Sequence, residues 1–474
     1  MLRGVTALWM GQIVTKGITF LAFGYLARHL GTQDYGAVEY AMGLATFASL
    51  AVDGGLSAVG VRRLAQGEHS VRALAAAVPA AQFCLAGVVA PGMVLFAWLF
   101  ANDACAVTLV ALVAVSVLML PWKQDWLFQA EGRMRPIVAG QILRATVFAA
   151  GVMLFIGGST DVNVVGMLEI AAVASATLYL IAVQSRSITP LRARFVWREM
   201  LDLGREGGSI GAAAVVWALI QYAPLAMLAS IAGMVDTAYF GAAHRLGVSL
   251  VTFSWIYHFN FYPTIARRMV ADPEATAALT RASFRVAAWC GIGLALALTL
   301  AAEPLLALLF GEKFRAGAPA FAVLVWTFPV TLLSGHARWM LVAARRAGDM
   351  FAAQLAGGVV TFVAGPLLIA GFGGVGAGVA MLLASLVIWA AAHVLVTLRV
   401  RPAPFAPCVL PGAMAISIIV VARWLAPDPW IACASGVALF CVLAPLLDRA
   451  LVHDWILVMK ARAVGSTDPT LVEV

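Results

Sequence analysis

Seven ionisable side chains stand where charge is expensive. Lys16, Arg144, Arg245 and Arg338 each lie inside a long apolar run, as do Glu39, Asp53 and Glu169. On insertion scales a charged residue at the centre of a spanning helix costs roughly 2.5–3.5 kcal/mol, so such groups turn toward protein or water and mark a pathway. Lys16 is near the middle of the run from 5 to 27, too far from either end to snorkel. Glu39 and Asp53 are the acids that would neutralise it, which is the alternative to a free ammonium. Arg144, Arg245 and Arg338 have fewer acids nearby, and Glu169 is the remaining intramembrane carboxylate. With Lys123 included, the cations in spans outnumber these acids, which leaves positive charge for an anion. The chemistry expected is charge-assisted capture of an anionic group by Lys16, Arg245, Arg144 and Arg338. Glu39, Asp53 and Glu169 would then act as charge-balancing or ion-coupling acids.

Other candidates have blander readings. Lys123 and Asp125 make a local pair, flanked by Trp122 and Trp126 in the manner of an aromatic belt. Tyr239, Trp255 and Tyr257, with Phe259, Phe261 and Tyr262, offer faces on which a saccharide can stack, although packing is the commoner role of such rings. His244, His258, His336 and His393 could titrate, but a hydrogen-bonded intramembrane histidine is the more frequent outcome, and no pair has helical metal-ligand spacing. Six cysteines lie in or beside apolar segments without a C-x-x-C pair, and read as core residues. The run Gly371-Phe372-Gly373-Gly374-Val375-Gly376 satisfies G-x-G-x-x-G, but no strand precedes it and no acid follows until Asp428. It reads as a tight turn between two spans. No phosphate-binding loop with its lysine occurs, so neither nucleotide hydrolysis nor a cofactor is expected, and energy must come from an ion gradient, the membrane potential or the cargo's own gradient.

The elements that position these residues follow from composition. The chain has 474 residues, 63% hydrophobic and 11% charged, with mean hydropathy +0.95. A soluble fold cannot bury that much apolar surface. The apolar runs are continuous and about 20 residues or longer, which predicts spanning helices and not barrel strands. The expected fold is all-α and polytopic, with about fourteen transmembrane helices. The net charge of +8 is spread over the ends of these runs, a pattern of membrane orientation and not of nucleic-acid binding. Alternating the loops places twenty-two Lys and Arg on one side and four on the other, so both termini are expected in the cytoplasm.

Two echoes, Leu26–Asp34 with Leu228–Asp236 and Ala130–Gln141 with Ala344–Gln354, suggest a repeat offset of slightly over 200 residues. The expected domains are a six-helix lobe at 1–184, a cytoplasmic amphipathic linker at 185–206, and a second six-helix lobe at 207–400. Two extra helices and a cytoplasmic tail follow at 401–474.

Three stretches resemble the polysaccharide-transport, or Wzx-type, flippases of the multidrug/oligosaccharidyl-lipid/polysaccharide exporter superfamily. One is Leu30-Gly31-Thr32-Gln33-Asp34-Tyr35-Gly36, followed by Asp53-Gly54-Gly55-Leu56 and Arg62-Arg63-Leu64-Ala65. Another is Tyr239 to Leu246 followed by Tyr262-Pro263-Thr264-Ile265-Ala266; the third is Leu308 to Phe314 leading to Ala318-Pro319. The resemblance implies two lobes in a V around a central cavity with alternating access. It also implies an undecaprenyl-diphosphate-linked oligosaccharide as cargo and a bacterial inner-membrane location. Lys16 and Arg245 match cationic positions of such flippases, and the two extra helices would serve the lipid tail. Expected partners are the lipid-linked glycan, membrane lipids, glycan polymerase and chain-length proteins, with no nucleic acid. A drug antiporter of the same superfamily is the competing expectation, and a membrane glycosyltransferase, polymerase or ligase a remote one, since the external loops are short.

Overall fold

The computed structural model describes the backbone except at residues 1, 68–69, 158–161, 191–195, 272, 426–427 and 468–474, and omits the side chains of 2–10, 256, 259–271, 273 and 460–467. Among the described residues every regular element is a helix. The chain divides into two compact units, Met1–Gly241 with Leu309–Gly311, and Ala242–Leu308 with Glu312–Val474.

The first unit holds α1 (Leu2–His29), α2 (Thr32–Asp53), α3 (Leu56–Ala65), α4 (Val71–Phe100), α5 (Ala104–Met119), α6 (Asp125–Ala130), α7 (Met134–Phe155), α8 (Asn163–Ser187), α9 (Trp197–Ile231) and the first turns of α10 (Met234–Ala271). Side chains at several starts satisfy orphan backbone amides: Ser70 accepts from the Ala73 N–H and Asp103 from that of Ala106. Helix α2 ends in two glycines of left-handed conformation, Gly54 at φ 53° and Gly55 at φ 77°. This joint packs on α9, because a Cβ on Gly55 would lie 2.4 Å from the Gly207 carbonyl oxygen, and one on Gly211 would lie 2.4 Å from that of Gly54. Gly55→Ala is therefore expected to destabilise the protein by about 2–4 kcal/mol, through backbone strain and overpacking together. Gly67 has a similar φ of 69° but open space around it, so Gly67→Ala should cost only about 1 kcal/mol. Thermal midpoints of the purified protein in detergent compare the two, and equal shifts would mean the joint is not packed.

The second unit continues α10 and adds α11 (Pro273–Leu300), α12 (Ala302–Phe310), α13 (Ala318–Leu324), α14 (Thr327–Ala343), α15 (Ala347–Arg399), α16 (Val409–Leu425), α17 (Pro429–Leu447) and α18 (Ala450–Thr467). Helix α15 is two helices folded at Gly373, whose φ of 54° and ψ of −132° suit only glycine; this is the turn expected at Gly371–Gly376. Helices α16 and α17 share one core with α11: Phe284, Trp289, Ile292, Ile418 and Phe440 are buried together. Beyond α17 the chain forms α18, which packs Val458 against Leu279, Ala282 and Val286 of α11. Arg285 fastens this corner, 2.5 Å from Asp448 and 2.8 Å from Asp454, and the Trp289 indole N–H donates to Asp448 at 3.0 Å.

Eleven helices among the described residues are long and apolar enough to cross a membrane. One of these is the folded α15, while α1 and α10, whose side chains are only partly described, also have spanning length, so the structure accommodates fourteen spans. Large apolar side chains such as Leu154 (78% exposed), Leu398 (76%) and Trp424 (88%) face outward, which only lipid tolerates at this density. The chain is a multi-pass membrane protein. In the linker, Arg192, Arg194 and Phe195 lie outside the described residues. From Trp197 onward there is no separate interfacial helix, because those residues are the opening turns of α9, which continues unbroken to Ile231.

Candidate functional site

In the first unit Gln12, Gln141, Arg144 and Glu169 make polar contacts along α1, α7 and α8. Gly11 lets α1 and α7 approach closely, since a Cβ there would sit 2.3 Å from the Val138 side chain. Across this contact Gln12 Nε2 donates to Gln141 Oε1 at 2.9 Å. Lys16 is one turn beyond Gln12 on α1 and Arg144 one turn beyond Gln141 on α7, so both cations follow that bridge on their helices. Arg144 donates to the carboxylate of Glu169 on α8; the arginine side chain is 50% exposed and the glutamate only 7%. The cation is thus accessible while its acid is sealed into the helix pair. Lys16 is half-buried.

The other two acids are held elsewhere. Glu39, buried on α2, accepts the Tyr35 hydroxyl at 2.7 Å. Asp53, at the end of α2, accepts from the Ser57 hydroxyl and, at 3.1 Å, from Gln82 Nε2 on α4. Lys123 and Asp125 form the local pair expected, 2.6 Å apart. Trp126 departs from the belt reading: it is 3% exposed, and its ring fills the space that a Cβ on Gly60 would need, 2.8 Å away. Trp122 is half-buried with its ring 5.6 Å from that of Phe83.

In the second unit, Arg245 on α10 and Arg338 on α14 are half-buried. The guanidinium of Arg338 donates through Nη2 to the Thr331 carbonyl at 3.4 Å, has an Nε with no acceptor, and has no carboxylate partner among the described residues. Of the candidate stacking rings, Tyr239 belongs to the first unit. Trp255 is 42% exposed and meets the Trp339 ring edge-on. Tyr257 is tied inward by its hydroxyl, 2.5 Å from Ser283 Oγ. The side chains of Phe259, Phe261 and Tyr262 lie outside the described residues.

The Tyr257 contact starts a hydrogen-bond chain that makes His258 and His336 the hydrogen-bonded histidines expected, with partners the sequence did not name. Ser283 Oγ is 2.9 Å from His336 Nε2, His336 Nδ1 is 3.5 Å from His258 Nε2, and His258 Nδ1 is 2.8 Å from the Ser254 carbonyl. A carbonyl only accepts, so neutral His258 carries its proton on Nδ1 and offers Nε2 as an acceptor. His336 then donates from Nδ1, accepts at Nε2 from Ser283, and Ser283 accepts from Tyr257. The chain points one way and fixes both tautomers. Nothing in the spacing of His258 and His336 along the sequence could show it, because they come from α10 and α14. Gly335 makes the approach possible, as a Cβ there would fall 2.3 Å from the His258 ring. Among the described residues no group of three or more His, Cys, Asp or Glu side chains could hold a metal ion.

A family model described as polysaccharide biosynthesis protein matches residues 1–269, more than half of the chain. The chain belongs to that family. This member has the fold of several solved transporters. It superposes on a lipid II flippase MurJ in an inward closed conformation with TM-score 0.75 at 10% identity, covering 94% of this chain and 99% of that one. An inward-facing multidrug resistance MATE family transporter of the MOP superfamily gives TM-score 0.63 at 12% identity, covering 81% and 94%. An outward-facing one gives 0.56 at 13%, covering 84% and 94%. No curated protein matches the sequence.

Proposed function

We propose that this family member is a flippase that moves an undecaprenyl-diphosphate-linked oligosaccharide from the cytoplasmic to the outer leaflet of a bacterial inner membrane, for cell-surface polysaccharide assembly. The observation that carries the reading is that none of Lys16, Arg144, Arg245 and Arg338, all within helices of spanning length, is a buried residue, and that the Arg144 side chain is 50% exposed. A charge open to lipid is costly, so accessible guanidinium and ammonium groups in spans belong beside water and can receive an anion there. A diphosphate is such an anion: it cannot cross hydrocarbon unaided, while its polyprenyl tail never needs to leave it. In this reading two six-helix lobes alternate access, and both chain termini are cytoplasmic. Family membership supports a glycan cargo.

Cationic groups supply the headgroup with charge-assisted hydrogen bonds in place of its hydration shell. Moving two negative charges outward gains about 4–5 kcal/mol per 100 mV of inside-negative potential, from roughly 2.3 per charge. No bond is made or broken, so the protein acts as a transporter and not as an enzyme.

The test is flipping of a fluorescent polyprenyl-diphosphate saccharide in proteoliposomes. Lys16→Ala, Arg245→Ala and Arg338→Ala are each expected to slow it by about 10- to 100-fold, the equivalent of one lost charged hydrogen bond of roughly 1.5–3 kcal/mol. Normal insertion of the variants would show that folding is intact. Wild-type rates in all three would show that these cations do not receive the headgroup. The second reading, an ion-coupled drug antiporter, is favoured by the MATE fold likeness and the buried Glu39; it predicts that cationic dyes, and not the saccharide lipid, are moved.

A further inference from the structure

A cavity of about 120 Å³ lies wholly within the second unit, where α11 starts, α14 ends and the chain leaves α15; Thr280, Arg281, Met340, Arg401, Pro402 and Pro404 are in its wall. Arg281 stands just over two turns into α11, Met340 one turn before the end of α14, and Arg401 two residues past α15. Ends of spans such as these lie at the membrane surface. The wall holds two arginines and, among the described residues, no acid.

The strap that carries Arg401 is fixed before any ligand arrives. The Val400 and Arg401 N–H groups both donate to the Val396 carbonyl at 2.9 Å, which closes the end of α15. Pro402 and Pro404 each have a locked φ, and Ala403 packs on the core of Ala337, Met340 and Val396. The backbone at Arg401 therefore loses little entropy on binding. On α11, Arg281 is exposed and has no carboxylate partner among the described residues. Its neighbours are already engaged: Arg285 holds Asp448 and Asp454, while Arg346 and Arg399 share Asp349. Those acids are committed to other cations, and Arg281 keeps its charge for a ligand.

The rim tells which anion fits. Leu398 (76% exposed) precedes the strap and Phe405 (51%) follows it, while Val394 (53%) lies one turn before Leu398 on the same face of α15. In a membrane such side chains are covered by acyl chains. A phosphate flanked by apolar surface is the headgroup of a phospholipid. We propose that this cavity holds the phosphodiester of an anionic membrane phospholipid of the phosphatidylglycerol type, with its acyl chains along Val394, Leu398 and Phe405. The two unesterified oxygens can each take a guanidinium fork, one from Arg281 and one from Arg401. A zwitterionic lipid brings its own cationic group, which two arginines repel. Basic pockets between spanning helices are a recurrent way of holding anionic headgroups. This site is independent of the cargo; a lipid there ties together the ends of α11, α14 and α15.

The experiment uses the full chain in phosphatidylcholine nanodiscs with a trace of photoactivatable phosphatidylglycerol and no saccharide lipid, crosslinked peptides being mapped by mass spectrometry. Labelling is expected to concentrate on residues 394–405, whereas photoactivatable phosphatidylcholine should label them no more than the α16 surface around Trp424. Arg281→Gln and Arg401→Gln should each lower the phosphatidylglycerol labelling about three- to tenfold, the low end reflecting screening of an exposed charge. Arg281→Gln should leave the thermal midpoint in phosphatidylcholine unchanged, so misfolding cannot account for its loss. Arg345→Gln is the control: Arg345 is exposed just beyond α14 and does not line the cavity, so labelling should stay at the wild-type level. An equal loss in all three variants would mean that the surface attracts anionic lipid as a whole. Wild-type labelling in both Arg281→Gln and Arg401→Gln would mean that the cavity takes none. Either result overturns the proposal, as does displacement of the lipid by millimolar inorganic phosphate at constant ionic strength, the mark of a site for a free anion. Loss of saccharide-lipid flipping with this labelling intact would sink only the cargo reading.

Discussion

Arg144→Ala is expected to destabilise the first unit by about 2–4 kcal/mol, below the full figure for breaking a sealed ion pair because the arginine is half exposed. The loss comes from the acid left behind: Glu169 sits in the α7–α8 contact at 7% side-chain exposure and would keep its charge without a partner. Arg144→Ala combined with Glu169→Gln should recover most of that stability, since no buried charge remains. Glu169→Gln alone should be the milder single change, because the guanidinium it frees is accessible. Thermal midpoints of the four proteins in detergent form a double-mutant cycle for the pair. A flipping assay on the same proteins separates two roles. If the guanidinium contacts cargo, the stable double variant remains slow; if Arg144 only balances Glu169, transport returns with stability. Additive losses in the cycle would show that the two side chains do not interact.

Gly36→Ala is expected to abolish accumulation of folded protein. A Cβ at Gly36 would lie 1.9 Å from the Met234 carbonyl oxygen and 2.8 Å from its carbon, so the obstruction is backbone and no rotamer can relieve it. Overpacking in a close-packed interior costs about 1–3 kcal/mol when side chains can yield, and more when they cannot. The contact joins α2 to the first turn of α10, within the first unit. Gly92, in α4, supplies the control: nothing stands within 4 Å of its Cβ position, and Gly92→Ala should gain about 1 kcal/mol of helix propensity. Yield of the monodisperse protein after extraction reads both. Normal yield of Gly36→Ala would mean the two helices do not touch there.

Much of the architecture was legible because membrane insertion is decided run by run. Each apolar stretch carries its own transfer free energy, so spans could be read without knowing their neighbours. The turn at Gly373 was legible for a similar local reason, as a cluster of glycines between two spans has few other conformations. The linker was harder: Trp197 to Glu206 has the mixed polarity of an interfacial helix, yet nothing in it stops a helix, and α9 runs straight through. Beyond Ala450, Val458 packs on Leu279, Ala282 and Val286 of α11, a contact that no local pattern shows because its partners lie far away in the sequence.

The candidate site divided differently. The charged residues stood out because an ion in an apolar run is conspicuous, whereas Gln12, Gln82, Gln124 and Gln141 did not, though amides inside spans need partners too. Read alone, the sequence determined that the chain is a many-helix membrane protein with cations in its spans, since both properties sum over neighbouring residues. Only the tertiary structure decided that Arg144 bonds to Glu169, that Asp53 turns to Ser57 and Gln82, and that His258 meets His336. Successive residues point about 100° apart around a helix, so which side chains face each other depends on how each helix is rotated and docked, and those angles are set by contacts between elements far apart in the chain.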